Sequence, residues 1–179
     1  MRRLVIITAL ICFPLIATLS AIAPVYAQGA AKGPSGLPLP RFVSLKSKKV
    51  NIRIGPSTDY AVSWMYMKSG TPMEVIQEYE NWRRVRDADG TEGWVNQALL
   101  SGDRTAVAAP WMRGKGTEIF VNMRRDPVNA GALVAKLQPG VQLNITECNG
   151  DWCHAEANGT EGWVPQAEVW GVYPGEAFK

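Results

Sequence analysis

Gly90-Thr-Glu-Gly-Trp-Val-Asn-Gln-Ala98 returns as Gly159-Thr-Glu-Gly-Trp-Val-Pro-Gln-Ala167, identical at eight of nine positions. Working outward, Val50-Asn51-x-Arg53 recurs as Val121-Asn122-x-Arg124, Pro56 as Pro127, Gly70 as Gly140 and Trp82 as Trp152. The offset falls from 71 to 70 to 69 along the unit, so two single-residue length changes separate the copies. An ordered repeat of this length means one structural unit built twice. Met73 and Val75, like Leu143 and Ile145, alternate with polar neighbours, the period-two pattern of half-buried strands. Asp89-Gly90, Asn149-Gly150 and Asn158-Gly159 are hairpin-turn dipeptides. Short strands with closely spaced turns predict an all-β chain of two small barrels.

The flanks set the boundaries. Arg2 and Arg3 precede an uncharged apolar run from Leu4 to about Ala23, and Val25-Tyr26-Ala27 follows as a small-x-small cleavage site. Residues 1–27 read as a secretory signal peptide. An uncleaved anchor is the alternative, since a run of that length can span a bilayer. Cys12 has no small residue immediately before it, which argues against lipoprotein attachment. Residues 28–40 are rich in Gly, Pro and Ala and read as a flexible leader. Barrel one is expected over 41–102, a linker over 103–110, and barrel two over 111–179, with Trp111 opening its first strand.

Without Arg2 and Arg3 the chain carries 17 basic and 16 acidic residues, too balanced for the basic field that nucleic-acid binding requires. The pI of 8.8 belongs to the whole precursor. Cys148 and Cys153 are the two cysteines beyond the apolar run, and in an exported chain a close pair reads as a disulfide. A metal site would need more ligands, and His154 is the single histidine. At the offset of 70 the two cysteines align with Glu78 and Arg83, which predicts a cross-strand ion pair in barrel one where barrel two has a bridge.

Val50-Asn-Ile-Arg-Ile-Gly-Pro-Ser57, Asn81-Trp82-x-x-Val85 and Gly90-x-x-Gly-Trp-Val95 together resemble the bacterial SH3 (SH3b) family, and the likeness covers essentially all of 41–179. The second unit departs at Arg125-Asp126, which replace Ile-Gly before Pro127. The resemblance implies a compact β-barrel that binds peptides or cell-wall material, usually without catalysis of its own. In many family members the barrel is a targeting arm on a peptidoglycan hydrolase. Val164-Pro165 also resembles the Gly-aromatic-apolar-Pro edge that closes the peptide groove of eukaryotic SH3 barrels; Val95-Asn96 lacks the proline.

Catalysis would need a nucleophile, a base and an orienting group. Cys153 and His154 are consecutive strand residues, which point to opposite faces, and no NlpC/P60-type Cys-His block is present, so no catalytic residue, cofactor or metal is expected. Of the seven tryptophans, Trp94 and Trp163 are expected to fill the cores. Trp82 and Trp152 lie an odd number of residues from the inward Val85 and Ala155, so they face out, either lining a groove or packing against the other barrel. Tyr60, following the Gly-Pro-Ser turn, and Asn129 in the second unit are expected on loops beside them. Arg53 and Arg124, with Asn51 and Asn122, are expected to bond the loop backbone. The candidate binding residues are therefore Trp82, Trp152, Tyr60 and Pro165.

These readings predict a non-catalytic periplasmic or secreted binding module for peptidoglycan peptides or an envelope protein. Contact with a membrane is expected only through an uncleaved signal peptide. The alternative is a structural or regulatory subunit docking on a partner envelope enzyme. A cell-wall amidase is opposed by the missing catalytic set. The exported protein should begin at Gln28 and carry the bridge, so intact mass should correspond to 152 residues less two hydrogens. A full-length mass, or two alkylatable thiols before reduction, contradicts this.

Overall fold

The computed structural model describes residues 31–179; the signal-peptide reading, and residues 28–30 of the leader, lie outside them. The chain is all-β and forms two SH3-like barrels in tandem. Barrel one contains β3 (Arg41–Leu45), β4 (Val50–Arg53), β5 (Val62–Tyr66), β6 (Pro72–Tyr79), β7 (Trp82–Arg86), β8 (Glu92–Asn96) and β9 (Leu100–Ser101). They form one curled sheet in the order β5-β4-β8-β7-β6-β3-β9. A short ribbon, β1 (Ala31–Lys32) with β2 (Pro38–Leu39), precedes it.

Barrel two contains β10 (Thr105–Ala108), β11 (Val121–Arg124), β12 (Leu133–Leu137), β13 (Gln142–Asn149), β14 (Trp152–Ala157), β15 (Thr160–Pro165) and β16 (Val169–Trp170), with β17 (Ala177–Phe178) added to β13. The order β12-β11-β15-β14-β13-β10-β16 repeats that of barrel one. The irregularities repeat as well. Register shifts fall at Ile52/Arg53 and Met123/Arg124, and again at Val75/Gln77 and Ile145/Glu147. Asn158 and Gly159 both take positive φ, 51° and 79°, as the tight turn between β14 and β15 requires.

Each core comes from the inward half of the alternation. Val50, Ile52, Met73, Val75, Val85 and Val95 are buried in barrel one, and Val121, Met123, Leu143, Ile145, Ala155 and Val164 at the matched places in barrel two. Trp94 and Trp163 do not fill these cores. Gly93 and Val95, like Gly162 and Val164, take the inward positions, so pleating turns both indoles to the outer face, where they are half-buried.

The linker reading of 103–110 gives way to a strand: Thr105–Ala108 is wholly buried and pairs with both β13 and β16. Strands covered on both faces do not alternate, so its small apolar residues left no period to read. Trp111 sits in a 3-10 turn, Pro110–Met112, rather than in a strand. Within the expected flexible leader, Ala31–Lys32 pairs with Pro38–Leu39 as a ribbon. Ser35 donates from its backbone N–H and its hydroxyl to the Glu78 carboxylate, both at 2.8 Å.

Glu78 and Arg83 stand opposite each other on β6 and β7, as Cys148 and Cys153 do on β13 and β14. Cys148 and Cys153 are bridged, and Glu78 meets Arg83 Nε at 3.2 Å and Arg41 at 2.8 Å. Glu78 and Arg83 are 7% and 5% exposed, so this ion pair is buried and its bonds must offset desolvation. Burial pushes the Glu78 carboxyl up, but the Ser35 donors, Arg41 and Arg83 outweigh it and hold it below the ordinary carboxylate range.

The barrels meet through aromatic rings. Phe42 of β3 packs against Trp170 and Tyr173 at 5.0 and 4.6 Å between centroids. Tyr173 donates to Glu74 at 3.0 Å, Glu74 pairs with Arg86 at 2.6 Å, and Arg113 reaches Asp89 at 2.9 Å.

Removing the carboxylate in Glu78→Ala strands two guanidinium groups and should destabilise by about 3–5 kcal/mol in denaturant titration. Because the folded pKa is depressed, the Glu78 contribution is complete above the ordinary carboxylate pKa and is lost as pH falls through the folded value. Glu78→Gln should flatten that part of the acid-unfolding profile, and an unchanged slope would refute the assignment. Reducing Cys148–Cys153 opens a short loop and should lower stability by about 2 kcal/mol in the chain-entropy picture.

Candidate functional site

The outer face of barrel one follows from the same pleat that fills its core. On β4, Val50 and Ile52 point inward, which sends Asn51 and Arg53 outward, with Lys49 just before them. On β8 and β7, Val95 and Val85 point inward, which sends Asn96 and Trp82 out as directly opposed neighbours. Lys49, Asn51, Arg53, Thr58, Trp82, Asn96 and Leu99 line a cleft of about 290 Å³. Its wall is the half-buried indole of Trp82, its rim carries two cations, and none of these lining residues is acidic.

Hydrogen bonds fix the frame. Arg53 donates to the Tyr60 carbonyl at 2.6 Å and so ties the loop after β4 to the strand. Asn96 accepts from the Ala98 N–H at 3.0 Å, capping the turn that places Leu99. Gln97 donates to Asn81 at 2.9 Å and accepts from Arg83, which locks the hairpin carrying Trp82.

The structure treats the expected site residues differently. Trp82 lines the cleft. Tyr60 does not stand beside it: its ring lies over Gly55, where an added methyl would fall 2.5 Å from the ring, and Thr58 is the loop residue that reaches the cleft. Trp152 and Pro165 are brought together as opposed residues of β14 and β15, both half-buried on the outer face. Arg53 and Arg124 do bond their loops, Arg124 to the Gly131 carbonyl at 2.8 Å. Asn51 instead lines the cleft. Lys49, Thr58, Asn96 and Leu99 went unread in the sequence. Period two marks both Lys49 and Asn96 as outward, Lys49 by alternation with Val50 and Asn96 by alternation with Val95.

The matched positions of barrel two have another character. Phe120, Asn122, Arg124, Asn129, Trp152, Pro165 and Glu168 replace the cleft residues of barrel one in order. Partial burial raises the Glu168 carboxyl pKa and the nearby Arg124 charge opposes that shift, so an anion of the protein already stands in the field of that cation. Cys153 is held in the bridge and offers no free thiol, while the adjacent His154 lies across the strand, 2.9 Å from Thr146 Oγ1 and edge-on to Trp163.

The family model for the bacterial SH3 domain matches residues 46–102 and again 118–171. The chain belongs to the bacterial SH3 domain family. This SH3 chain is also similar to "Putative N-acetylmuramoyl-L-alanine amidase YrvJ" of Bacillus subtilis (strain 168), with 26% identity over 125 residues, 64% of this chain and 24% of the relative. It therefore spans about a quarter of that protein's length. Among solved structures it is similar to NlpC2 from Trichomonas vaginalis, at 8% identity and a TM-score of 0.33, covering 75% of this chain and 49% of that one. An NlpC/P60 family protein from Bacillus cereus ATCC 10987 gives 8% identity and a TM-score of 0.31, covering 72% and 55%.

Seating of Tyr60 on Gly55 should be needed to hold Arg53 in place. Gly55→Ala should displace the loop and broaden the amide resonances of residues 57–61 in NMR spectra, leaving the barrel-two resonances unmoved. Unchanged resonances there would show that the seat is not required.

Proposed function

We propose that this bacterial SH3 chain is a non-catalytic binding module of the periplasm or cell exterior, and that barrel one takes acidic peptide in the cleft beside Trp82. Peptidoglycan stem peptides, short and rich in carboxylates, are the ligand class that best suits it; an acidic segment of an envelope protein has the same chemistry. The observation that carries this reading is the lining of the cleft: an indole face with Lys49 and Arg53 at its rim and no carboxylate to neutralise them. A flat aromatic wall stacks on amide planes and apolar side chains, while the two cations set orientation. Bacterial SH3 domains are commonly cell-wall binding modules, and the similarity to a protein named as an N-acetylmuramoyl-L-alanine amidase supports a peptidoglycan-related ligand. The bridged Cys153 speaks against a thiol nucleophile in barrel two.

Sacculus co-sedimentation tests the proposal. Trp82→Ala should weaken binding by about tenfold or more, as loss of a central aromatic anchor does. Leu99→Glu, which installs the barrel-two residue, should weaken it as well, and added salt should weaken the wild type. Trp152→Ala should bind as wild type does. If Trp82→Ala and Leu99→Glu fold and bind undiminished, the cleft is not the site, and the reading as a subunit docking on an envelope enzyme takes its place.

A further inference from the structure

The two barrels share a fold but not a surface, and the difference is concentrated at one sheet edge. β5 ends the first sheet, pairing with β4 on one side and with no strand of the described residues on the other. Its neighbourhood is apolar and open to solvent: Ile54 is 65% exposed, Trp64 56% and Met67 69%. Register puts Trp64 opposite Ile52, on the core side of the sheet, and Met65 opposite Asn51, on the outer side. The edge is therefore apolar on both faces. A flat lipid surface would cover one face; a strand added along the edge covers both and takes up the open backbone groups.

Barrel two shows that the barrel does not require this. β12 ends its sheet in the same way. The residues matched to Ile54, Trp64, Met65 and Met67 there are Arg125, Ala135, Lys136 and Gln138, although Leu133 and Val134, matched to Val62 and Ser63, remain exposed on β12. Charge at Arg125 and Lys136 blunts that edge despite Leu133 and Val134, whereas an uncharged apolar edge such as β5 invites pairing.

Charge selects the occupant. Val50 pairs with Tyr66, so Lys48, Lys49 and Lys68 gather at the C-terminal end of β5, and Asp59 lies toward the other end. An antiparallel second copy centred on Trp64 sets Trp64 against its own equivalent and Val62 against Tyr66 of the other chain. It also sets Ala61 against Met67 and Tyr60 against Lys68. The lysine groups then sit at opposite ends, each beside the other chain's Tyr60 and Asp59, and no like charges face each other across the new pair. We propose that β5 is a homodimer edge, through which two copies of this chain join their first sheets antiparallel about Trp64. The contact is isologous and closes at two. Such a dimer carries two Trp82 clefts, which raises retention on a polymeric ligand through effective concentration.

The contact is one strand wide, at the small end of specific interfaces, so analytical ultracentrifugation of the Gln28–Lys179 chain should extend to about 1 mM. Mass should rise with concentration from monomer toward dimer. Trp64→Ala/Met65→Lys/Met67→Gln, carrying the residues barrel two tolerates at these places, should remain monomeric with an unchanged circular dichroism spectrum. Trp64→Cys should give a covalent dimer on mild oxidation, because position 64 faces itself. A wild type that stays monomeric throughout, or a triple variant that dimerises equally, overturns the proposal. So does a monomer that floats with anionic phosphatidylglycerol vesicles through Trp64, which would assign the edge to membrane. Trp82→Ala should dimerise normally, which separates this outcome from failure of the cleft reading.

Discussion

The pleat of the β-strand is the constraint on which the rest of this structure depends. In Val50-Asn-Ile-Arg53 and Gly-Trp-Val-Asn96, each residue committed to the core forces its neighbour to the outer face. Val50, Ile52, Val85 and Val95 close the barrel, and by doing so they present Asn51, Arg53, Trp82 and Asn96 on adjoining strands. The cleft is thus the reverse side of the core. A one-residue slip of β4 would exchange the two sets, so packing that stabilises barrel one also holds the cleft in register.

Barrels of this size bury a modest core and need reinforcement. The hairpin that ends in Trp82 or Trp152 shows two ways of supplying it at one register position. Barrel two closes β13 to β14 covalently through Cys148–Cys153 and lays β17 against the same strand. Barrel one buries Glu78 between Arg83 and Arg41 and recruits Ser35 of the preceding ribbon to complete the carboxylate's bonding. The ionic version is the more exacting of the two. Each partner must be present, because a single charge left alone in that site would carry its full desolvation cost. It also explains why the segment before Arg41 is held against the barrel despite a composition that has no core of its own.

Much of this was legible in the sequence wherever period two survives. The repeated Val-Asn-x-Arg and Gly-Trp-Val segments point to two barrels, the close cysteine pair to the bridge, and the repeat offset to its ionic counterpart at Glu78 and Arg83. Reading failed where the pleat carries no contrast. Thr105–Ala108 is buried on both faces, so Thr-Ala-Val-Ala has no polar half to reveal a strand. The ribbon at 31–40 is held by a long-range contact to Glu78 that no local pattern encodes. Trp94 and Trp163 were set inside by size, yet parity with Val95 and Val164 already placed them outside. Tyr60 was misplaced for a different reason: Gly55 leaves room for an aromatic ring directly over its Cα, and a loop collapses onto such a space instead of reaching across to Trp82.

Divergence between the barrels then separates what the fold demands from what it leaves free. Strand order, the two register shifts and the inward residues are common to both, so they belong to the scaffold. The surface differences fall just before β4, on β5 and in the turn after β8: Lys49 and Leu99 against Phe120 and Glu168 at the cleft, Trp64 and Met65 against Ala135 and Lys136 at the edge. Barrel two turns two of its aromatic residues toward its neighbour, with Trp170 and Tyr173 seated on Phe42 and Tyr173 bonded to Glu74. Glu74 is buried at that joint and also pairs with Arg86, so one carboxylate joins Tyr173 of barrel two to the β6–β7 pair of barrel one. Those are the strands whose hairpin carries Trp82. Barrel two is therefore linked through Tyr173 and Glu74 to the two strands that frame the cleft of barrel one.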